Sequence, residues 1–198
     1  MISRFFPRVC LVAALAGVAG LLSACGTSTP VNFYTLDAVS PATLAPLRAG
    51  PTVQLGAVTL PAMLDRVQIV RRDGSHQVAI DDLDHWAAPL DDLTRRALVH
   101  DLALRLPARV VMTTDDTPPA GPLQVMSVSV GEFAGNGSGQ VVLQAHWTIF
   151  HGTPLALVRQ GTEDIRVPAG TSPQALAAGM SQALGLFADK LAAALPPA

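Results

Sequence analysis

The densest cluster of residues that could bind a metal ion is acidic. Asp81, Asp82 and Asp84 precede His85, and two further acids follow at 91–92. The cluster offers hard oxygen ligands beside an imidazole, but its spacing does not match an EF-hand loop, whose ligands alternate over about twelve residues and end on a bidentate Glu. A solvated loop that leads into a helix explains it better, because the positive N-terminal end of a helix favours Asp. We therefore predict no metal and no cofactor, with a metal site as the alternative.

Residue patterns of enzymes are missing from the sequence. Its five histidines never form a helical i, i+4 pair with a Glu between them, which is the arrangement of zinc proteases. The chain has no Gly-x-Ser-x-Gly motif. The glycine-rich stretch 135–139 has no Lys and opens no helix, so a hairpin turn explains it better than phosphate binding. The sequence thus predicts a protein that is not an enzyme.

Cys25 carries the strongest chemical signal. The sequence Leu22-Ser23-Ala24-Cys25 matches a lipobox, in which a Cys follows a Leu and two small residues. At such a site a diacylglycerol is joined to the thiol, the signal peptide is cut before the Cys, and the new amino group is acylated, for example with palmitate. Two or more acyl chains give lasting membrane attachment. We predict that Cys25 is the lipid attachment site and the first residue of the mature protein.

The residues before Cys25 are predicted to form a signal peptide over 1–24. Arg4 and Arg8 precede an apolar run of about 14 residues, which is shorter than the roughly 20 that a helix needs to cross a bilayer. In enteric bacteria, an Asp directly after the lipidated Cys usually keeps a lipoprotein in the inner membrane. This chain has Gly26 at that position. The predicted location is therefore the periplasmic face of the outer membrane.

Composition argues against several other classes of function. Cys10 leaves with the signal peptide, so the mature chain has no thiol besides Cys25 for a disulfide, for thiol catalysis or for a Cys-ligated metal. The signal peptide contains two of the 13 basic residues and none of the 15 acidic ones, which leaves a net charge near −4. This charge argues against a nucleic-acid partner.

Turn signals and apolar periodicity divide the mature chain into two parts. Residues 25–50 are rich in Thr, Ser, Pro and Ala and are predicted to form a lipidated tether, with a short strand at 32–36. Residues 51–198 are predicted to form a single domain. Within it we predict helices from 89 to about 106 and from 171 to 196, and strands at 52–60 with a bulge near Gly56, 66–72, 76–80, 109–113, 123–133, 140–150 and 155–167.

The order of these elements predicts an α/β fold. Two pairs of strands flank the turn signals Asp73-Gly74 and 135–139, so these strands should pair as antiparallel hairpins. The predicted architecture is a layered sandwich of a mixed, largely antiparallel sheet with two main amphipathic helices. Trp147 shares one strand face with Leu143 and Ile149 and is expected in the core.

Four residues are candidates for contact with a partner or with lipid. Arg66, Arg71 and Arg72 lie on the first predicted hairpin, where they could bind an acidic partner or lipid head groups, or could protect an exposed strand edge from aggregation. Trp86 could offer a stacking surface, although a Trp just before a helix more often packs its ring on the core. Both readings stay open for each residue.

The stretch from 60 to 106 resembles a known family. Leu60-Pro61, then Leu64-Asp65-Arg66 opening a strand, and His85-Trp86-Ala87 before Pro89-Leu90 and an amphipathic helix occur in this order in the ABC-type transport auxiliary lipoproteins of the PqiC or YmbA-like group. Phe33-Tyr34-Thr35-Leu36 after the lipobox and Ala145-x-Trp147 in a late strand agree with it. The resemblance extends over nearly the whole mature chain.

This resemblance implies a non-enzymatic outer-membrane lipoprotein that serves a lipid transport system with an MCE-domain protein and ABC transporter components. It further implies a homo-oligomer that docks a periplasm-spanning partner and contacts the membrane through its lipid anchor. A stand-alone periplasmic lipoprotein that binds lipid in its own cavity is the alternative.

Overall fold

The computed structural model describes residues 29–43 and 49–196, whose backbone forms one sheet of eight strands and two long helices. The predicted signal peptide, Cys25 and part of the tether lie outside these residues. The helices are α1 (Leu90–Arg105) and α2 (Pro173–Ala194), and a 3-10 turn spans Ala62–Leu64. The strands are β1 (Asn32–Tyr34), β2 (Thr52–Thr59), β3 (Gln68–Asp73), β4 (Gln77–Trp86), β5 (Val111–Thr113), β6 (Leu123–Asn136), β7 (Gln140–His151) and β8 (Ala156–Pro168).

β6 is the central strand, because it pairs with neighbours on both of its edges. Along one edge it is antiparallel to β7, from Gln124 opposite His151 to Gly135 opposite Val141. Along the other edge it is parallel to β2 and then to β3. β8 extends the sheet beyond β7, β4 and β1 extend it beyond β3, and β5 extends it beyond β2. The sheet is mixed and its longest pairings are antiparallel, which confirms the predicted fold class.

The turn residues predicted from the sequence form the hairpin turns of the structure. Gly74 and Gly139 have positive φ angles of 75° and 74°, which Gly adopts without a steric penalty. The side-chain oxygen of Asn136 accepts hydrogen bonds from the backbone N–H groups of Ser138 and Gln140, at 3.1 and 3.0 Å. Both predicted hairpins are confirmed, as is the bulge near Gly56, where the register of β2 shifts.

The acidic segment before α1 is a strand, so the predicted solvated loop is wrong. Residues 81–85 lie within β4, and Asp84 pairs with Asn32 of β1. The strand tolerates Asp81 and Asp84 because their carboxylates have partners, and Asp82 is exposed to solvent. Asp81 lies 3.0 Å from the guanidinium of Arg71, and Asp84 accepts a hydrogen bond from the Asn32 side chain.

The helices pack against each other and on the sheet, and together they bury one apolar core. The predicted apolar stripe of α2 is confirmed, because its large side chains are no more than 2% exposed at Leu176, Met180, Leu184, Phe187 and Leu191. Trp147 of β7 is 5% exposed and belongs to the same core, as expected from its strand face.

The segment after β1, which the sequence analysis assigns to the tether, packs on the two helices. Leu36 is buried, and the backbone of Val39 is held by two buried charged residues of α1. Its N–H donates to Asp101 Oδ1 at 2.8 Å, and its C=O accepts from Arg105 Nη1 at 3.0 Å. Arg105 Nε also donates to Asp189 of α2, at 2.6 Å. We call Asp101, Arg105 and Asp189 the charge clasp.

Gly161 of β8 lies opposite Trp147, and a Cβ atom at position 161 would lie 2.5 Å from the indole ring. We expect Gly161→Ala to lower the free energy of unfolding by about 1–3 kcal/mol, because a rigid ring in a packed core cannot move aside without strain. Chemical denaturation measures the change. Gly131→Ala is the matched control, because the atom closest to its new Cβ would be 3.8 Å away. Equal losses in the two variants would contradict the steric explanation.

Burial within the charge clasp raises the pKa of the Asp101 carboxyl from 3.8 to about 6. At a pH between 3.8 and about 6, the Asp101 carboxyl is protonated in the folded chain but ionised in the unfolded chain. Its contribution to the free energy of unfolding therefore increases as the pH falls from 7 to 5. Asp101→Asn removes that gain. We therefore expect the free energy of unfolding of the wild type, measured relative to the variant, to increase as the pH falls.

Asp164→Asn is the control for this titration. Its hydrogen bond with Arg166 lowers the pKa of Asp164, so this carboxyl titrates below the chosen pH window. The difference between wild type and the control variant should stay constant from pH 7 to 5. A constant difference for Asp101→Asn as well would show that the buried carboxyl does not titrate as expected.

Candidate functional site

The arginines of the β3–β4 hairpin do not form one positive surface. Arg71 and Arg72 are successive residues of a strand, so their side chains leave opposite faces of the sheet. Arg71 pairs with Asp81 and donates to the backbone oxygen of Thr171, just before α2. Arg72 pairs with Glu132 of β6 at 3.2 Å. Both side chains are therefore paired within the domain, where they join the hairpin to its neighbours.

Arg66 and Trp86 lie in opposite environments. Arg66 is exposed before β3, and within 29–43 and 49–196 no ion pair involves it. Trp86 is 4% exposed, and its backbone N–H donates to the oxygen of Val67 at 2.7 Å. The ring packs in the core, in agreement with the structural alternative, and leaves little surface for contact with a partner or with lipid.

The acidic cluster joins β1 to the domain. Asp84 accepts hydrogen bonds from Tyr34 OH at 2.8 Å and from Asn32 Nδ2 at 3.0 Å, and the first of these raises the pKa of Tyr34. His85 Nε2 lies 3.1 Å from the backbone oxygen of Asp82. In the described part of the chain, no three His, Cys, Asp or Glu side chains gather in a group that could hold a metal ion.

A groove lies between the 3-10 turn, the β3–β4 hairpin and β6. Its volume is about 220 Å³, and its lining includes the apolar side chains of Met63, Val70 and Val78 and the ion pair of Arg72 with Glu132. This volume is below the roughly 300–1,000 Å³ of typical small-molecule sites. The sequence does not predict the groove, because its lining comes from segments that meet only in the folded chain.

The charge clasp was also missed. Asp101 and Arg105 are 0% and 4% exposed, although they follow the pattern of buried leucines along α1. Their i, i+4 spacing inside an apolar stripe is the sequence signal that identifies a buried ion pair. The clasp fixes the chain between β1 and β2.

Apolar side chains are exposed near the β7–β8 turn. Leu155, Leu157 and Val158 are 52%, 50% and 46% exposed, respectively. Among the residues that the structure describes, β8 pairs only with β7, so its other edge offers unpaired backbone groups beside these side chains. This combination makes the start of β8 a candidate docking surface.

No helix among the described residues has the length and apolar character needed to span a membrane. The fold is similar to that in a crystal structure of an uncharacterized protein, with a TM-score of 0.69, 20% identity, and coverage of 83% of this chain and 98% of the other. A protein from Xanthomonas campestris has a TM-score of 0.62 at 15% identity, over 81% of this chain and 91% of its own. At these identities the similarity concerns the fold alone.

Proteins named intermembrane transport lipoprotein PqiC, from Escherichia coli and Shigella flexneri, are each 30% identical to this chain over 122 residues. The match covers 61% of this chain and 63% of each relative, so the chain spans less than two thirds of the length of these relatives.

The model of the family described as ABC-type transport auxiliary lipoprotein component matches residues 34–192. This range runs from the end of β1 into α2 and includes the hairpins, the groove and the charge clasp. The chain therefore belongs to the ABC-type transport auxiliary lipoprotein family.

Proposed function

We propose that this chain is a non-enzymatic lipoprotein subunit of an MCE-type ABC lipid transport system. In this proposal it docks a periplasm-spanning partner at the periplasmic face of the outer membrane. The observation that carries the proposal is the family match over residues 34–192, downstream of a lipobox that ends at Cys25. The name of the PqiC relatives, intermembrane transport lipoprotein, supports the role in transport.

The proposed processing gives each part of the chain a task. Residues 1–24 direct secretion and are removed, and Cys25 carries the acyl chains. The segment that follows leads to β1, which adds to the edge of the sheet, and residues 51–198 form the single domain that meets the partner. The charge clasp attaches the segment after β1 to that domain.

The size of the groove favours docking over the stand-alone carrier. The groove volume of about 220 Å³ is smaller than that of a typical small-molecule pocket. A phospholipid with two acyl chains needs more space than a small molecule. The interior between helices and sheet is filled by side chains such as Phe133 and Phe187, each 1% exposed. The groove is therefore too small to hold such a lipid, which supports docking over the stand-alone carrier.

Three histidines of the described residues have hydrogen-bond partners in the structure. His85 and His151 have backbone oxygens as hydrogen-bond partners, and His146 lies 3.4 Å from Thr162 Oγ1 on an exposed strand surface. A nucleophile needs an adjacent base that a third group orients. These contacts do not provide such an arrangement.

The start of β8 is the proposed docking surface. Its open edge can accept an extended segment by strand addition, and the exposed side chains of Leu155, Leu157 and Val158 can bury apolar area against it. The partners in this proposal are the MCE-domain protein and further copies of this chain, which assemble as a homo-oligomer.

Cys25→Ala tests the lipid anchor. We expect the full-length variant to lose labelling by radioactive palmitate and to be absent from the outer-membrane fraction, because the lipobox thiol that receives the acyl chains is gone and Cys10 does not lie in a lipobox. Density-gradient separation of the two membranes locates the wild-type protein, which should be found in the outer-membrane fraction. Cys10→Ala is the matched control and should keep both properties, because this residue lies within the signal peptide. Palmitate labelling of Cys25→Ala would contradict the assignment.

Affinity purification of the lipidated chain from solubilised envelopes tests the partner. We expect an MCE-domain protein to be recovered with the wild type and to be lost with Leu157→Lys, because a charge on the apolar edge opposes strand addition. Thr162→Lys is the control on the same strand and should retain the partner. Recovery of neither an MCE-domain protein nor a transporter component with the wild type would refute the proposed function.

A further inference from the structure

β1 fixes the direction in which the chain enters the domain. β1 is parallel to β4, with Asn32 opposite Asp84, and β4 begins at Gln77 directly after the β3–β4 turn. The N-terminal end of β1 therefore points toward that turn. The β6–β7 turn lies at the same end of the sheet, because Arg72 of β3 pairs with Asn136. We call this end, with its two turns, the hairpin end.

The short chain between Cys25 and Asn32 limits how far the domain can lie from a lipid on that Cys. Seven residues span at most about 25 Å when fully extended. A domain of this size has a radius of gyration of about 15 Å, so the tether is shorter than the domain is wide. If Cys25 is acylated, the domain is held close to the membrane, and the chain enters β1 from the direction of the hairpin end.

Apolar side chains are exposed on one sheet face at this end. Val70 lies opposite Ile80 in the β3–β4 ladder, and Val78 is two residues further along the same face. Met63 of the 3-10 turn lines the groove together with Val70 and Val78. Met63, Val78 and Ile80 are 47%, 39% and 41% exposed. We call these three side chains the hairpin face.

Further apolar surface continues from the hairpin face toward the tether. Phe33 of β1 is 67% exposed and rests edge-on against the ring of His85. Single exposed apolar side chains are common on protein surfaces, whereas a group of them marks a contact. Here the group lies on the side from which the chain enters β1.

Charge does not make this surface basic. Arg72 is paired with Glu132, and Arg66 follows Asp65 in the chain. Attraction to anionic lipid is therefore weak, and contact with a bilayer would depend on placing apolar side chains among the lipid head groups. Little affinity is needed, because a short tether gives an effective concentration in the millimolar range.

We propose that the hairpin face rests on the phospholipid surface that holds the acylated Cys25, so that the β7–β8 turn points away from the membrane. This proposal depends on lipid attachment at Cys25, which belongs to the proposed function. It names the membrane surface, rather than a protein, as the occupant of the hairpin face. It also orients the docking surface at the start of β8 toward the periplasm.

The test uses the mature chain, residues 25–198, in which Cys25 is the only thiol. Its thiol is coupled to a maleimide-bearing phosphatidylethanolamine in vesicles of phosphatidylcholine with brominated acyl chains, which quench tryptophan that enters the bilayer. Ile80→Trp adds a probe on the hairpin face. Leu157→Trp is the matched control at the other end of the sheet, with similar exposure of the native side chain. The emission of the unchanged chain, which comes from the buried Trp86 and Trp147, is measured separately and subtracted.

We expect Ile80→Trp to lose most of its added emission in brominated vesicles, at low and at high salt, and Leu157→Trp to keep its emission. Val78→Trp repeats the measurement should Ile80→Trp fail to fold, as judged by circular dichroism. An unquenched probe on the hairpin face, or stronger quenching at Leu157, overturns the proposal and assigns this face to a protein partner. Chemical coupling replaces cellular acylation, so this outcome is independent of the palmitate labelling that tests the proposed function.

Discussion

The pairing of β6 on both of its edges is the constraint on which the rest of the structure depends. β7 pairs with one edge of β6 along nearly the whole length of β6. β2 and β3 pair with successive parts of its other edge. The helices then cover alternate residues of these central strands, while β1, β4, β5 and β8 remain at the periphery. The core therefore lies at the centre of the sheet, and apolar side chains that the helices do not cover remain exposed on the outer strands.

Local patterns were sufficient to predict most of this fold. The hairpins at Gly74 and Gly139 depend on a backbone conformation that Gly adopts easily, and the stripe of α2 depends on helical periodicity alone. The continuation of β4 through Asp81 and Asp84 was not predictable in this way. Acidic residues are depleted in strands, and these belong to one because β1 pairs with it from about fifty positions earlier in the chain. Long-range pairing overrode local preference.

The candidate site was less predictable, because partners and facing directions belong to the tertiary structure. Arg71 and Arg72 form a basic pair in the sequence, but the sheet separates them onto opposite faces and gives each its own acid. The position of Trp86, in contrast, was predictable. An indole just before a helix often packs on the core, and Trp86 is buried there. Helical spacing could have identified the buried pair of α1, but not the backbone of Val39 that it binds.

The charge clasp has a mechanical consequence. The chain is attached to the domain first by the backbone pairing of β1 with β4. It is attached again by the hydrogen bond of Val39 with Asp101, before β2. Tension applied through a lipid anchor would act along the axis of β1, where the hydrogen bonds of a ladder share the load. Charge-assisted bonds to Arg105 form a second fastening behind them. A domain held in this way would keep the register of its central strands under such a pull.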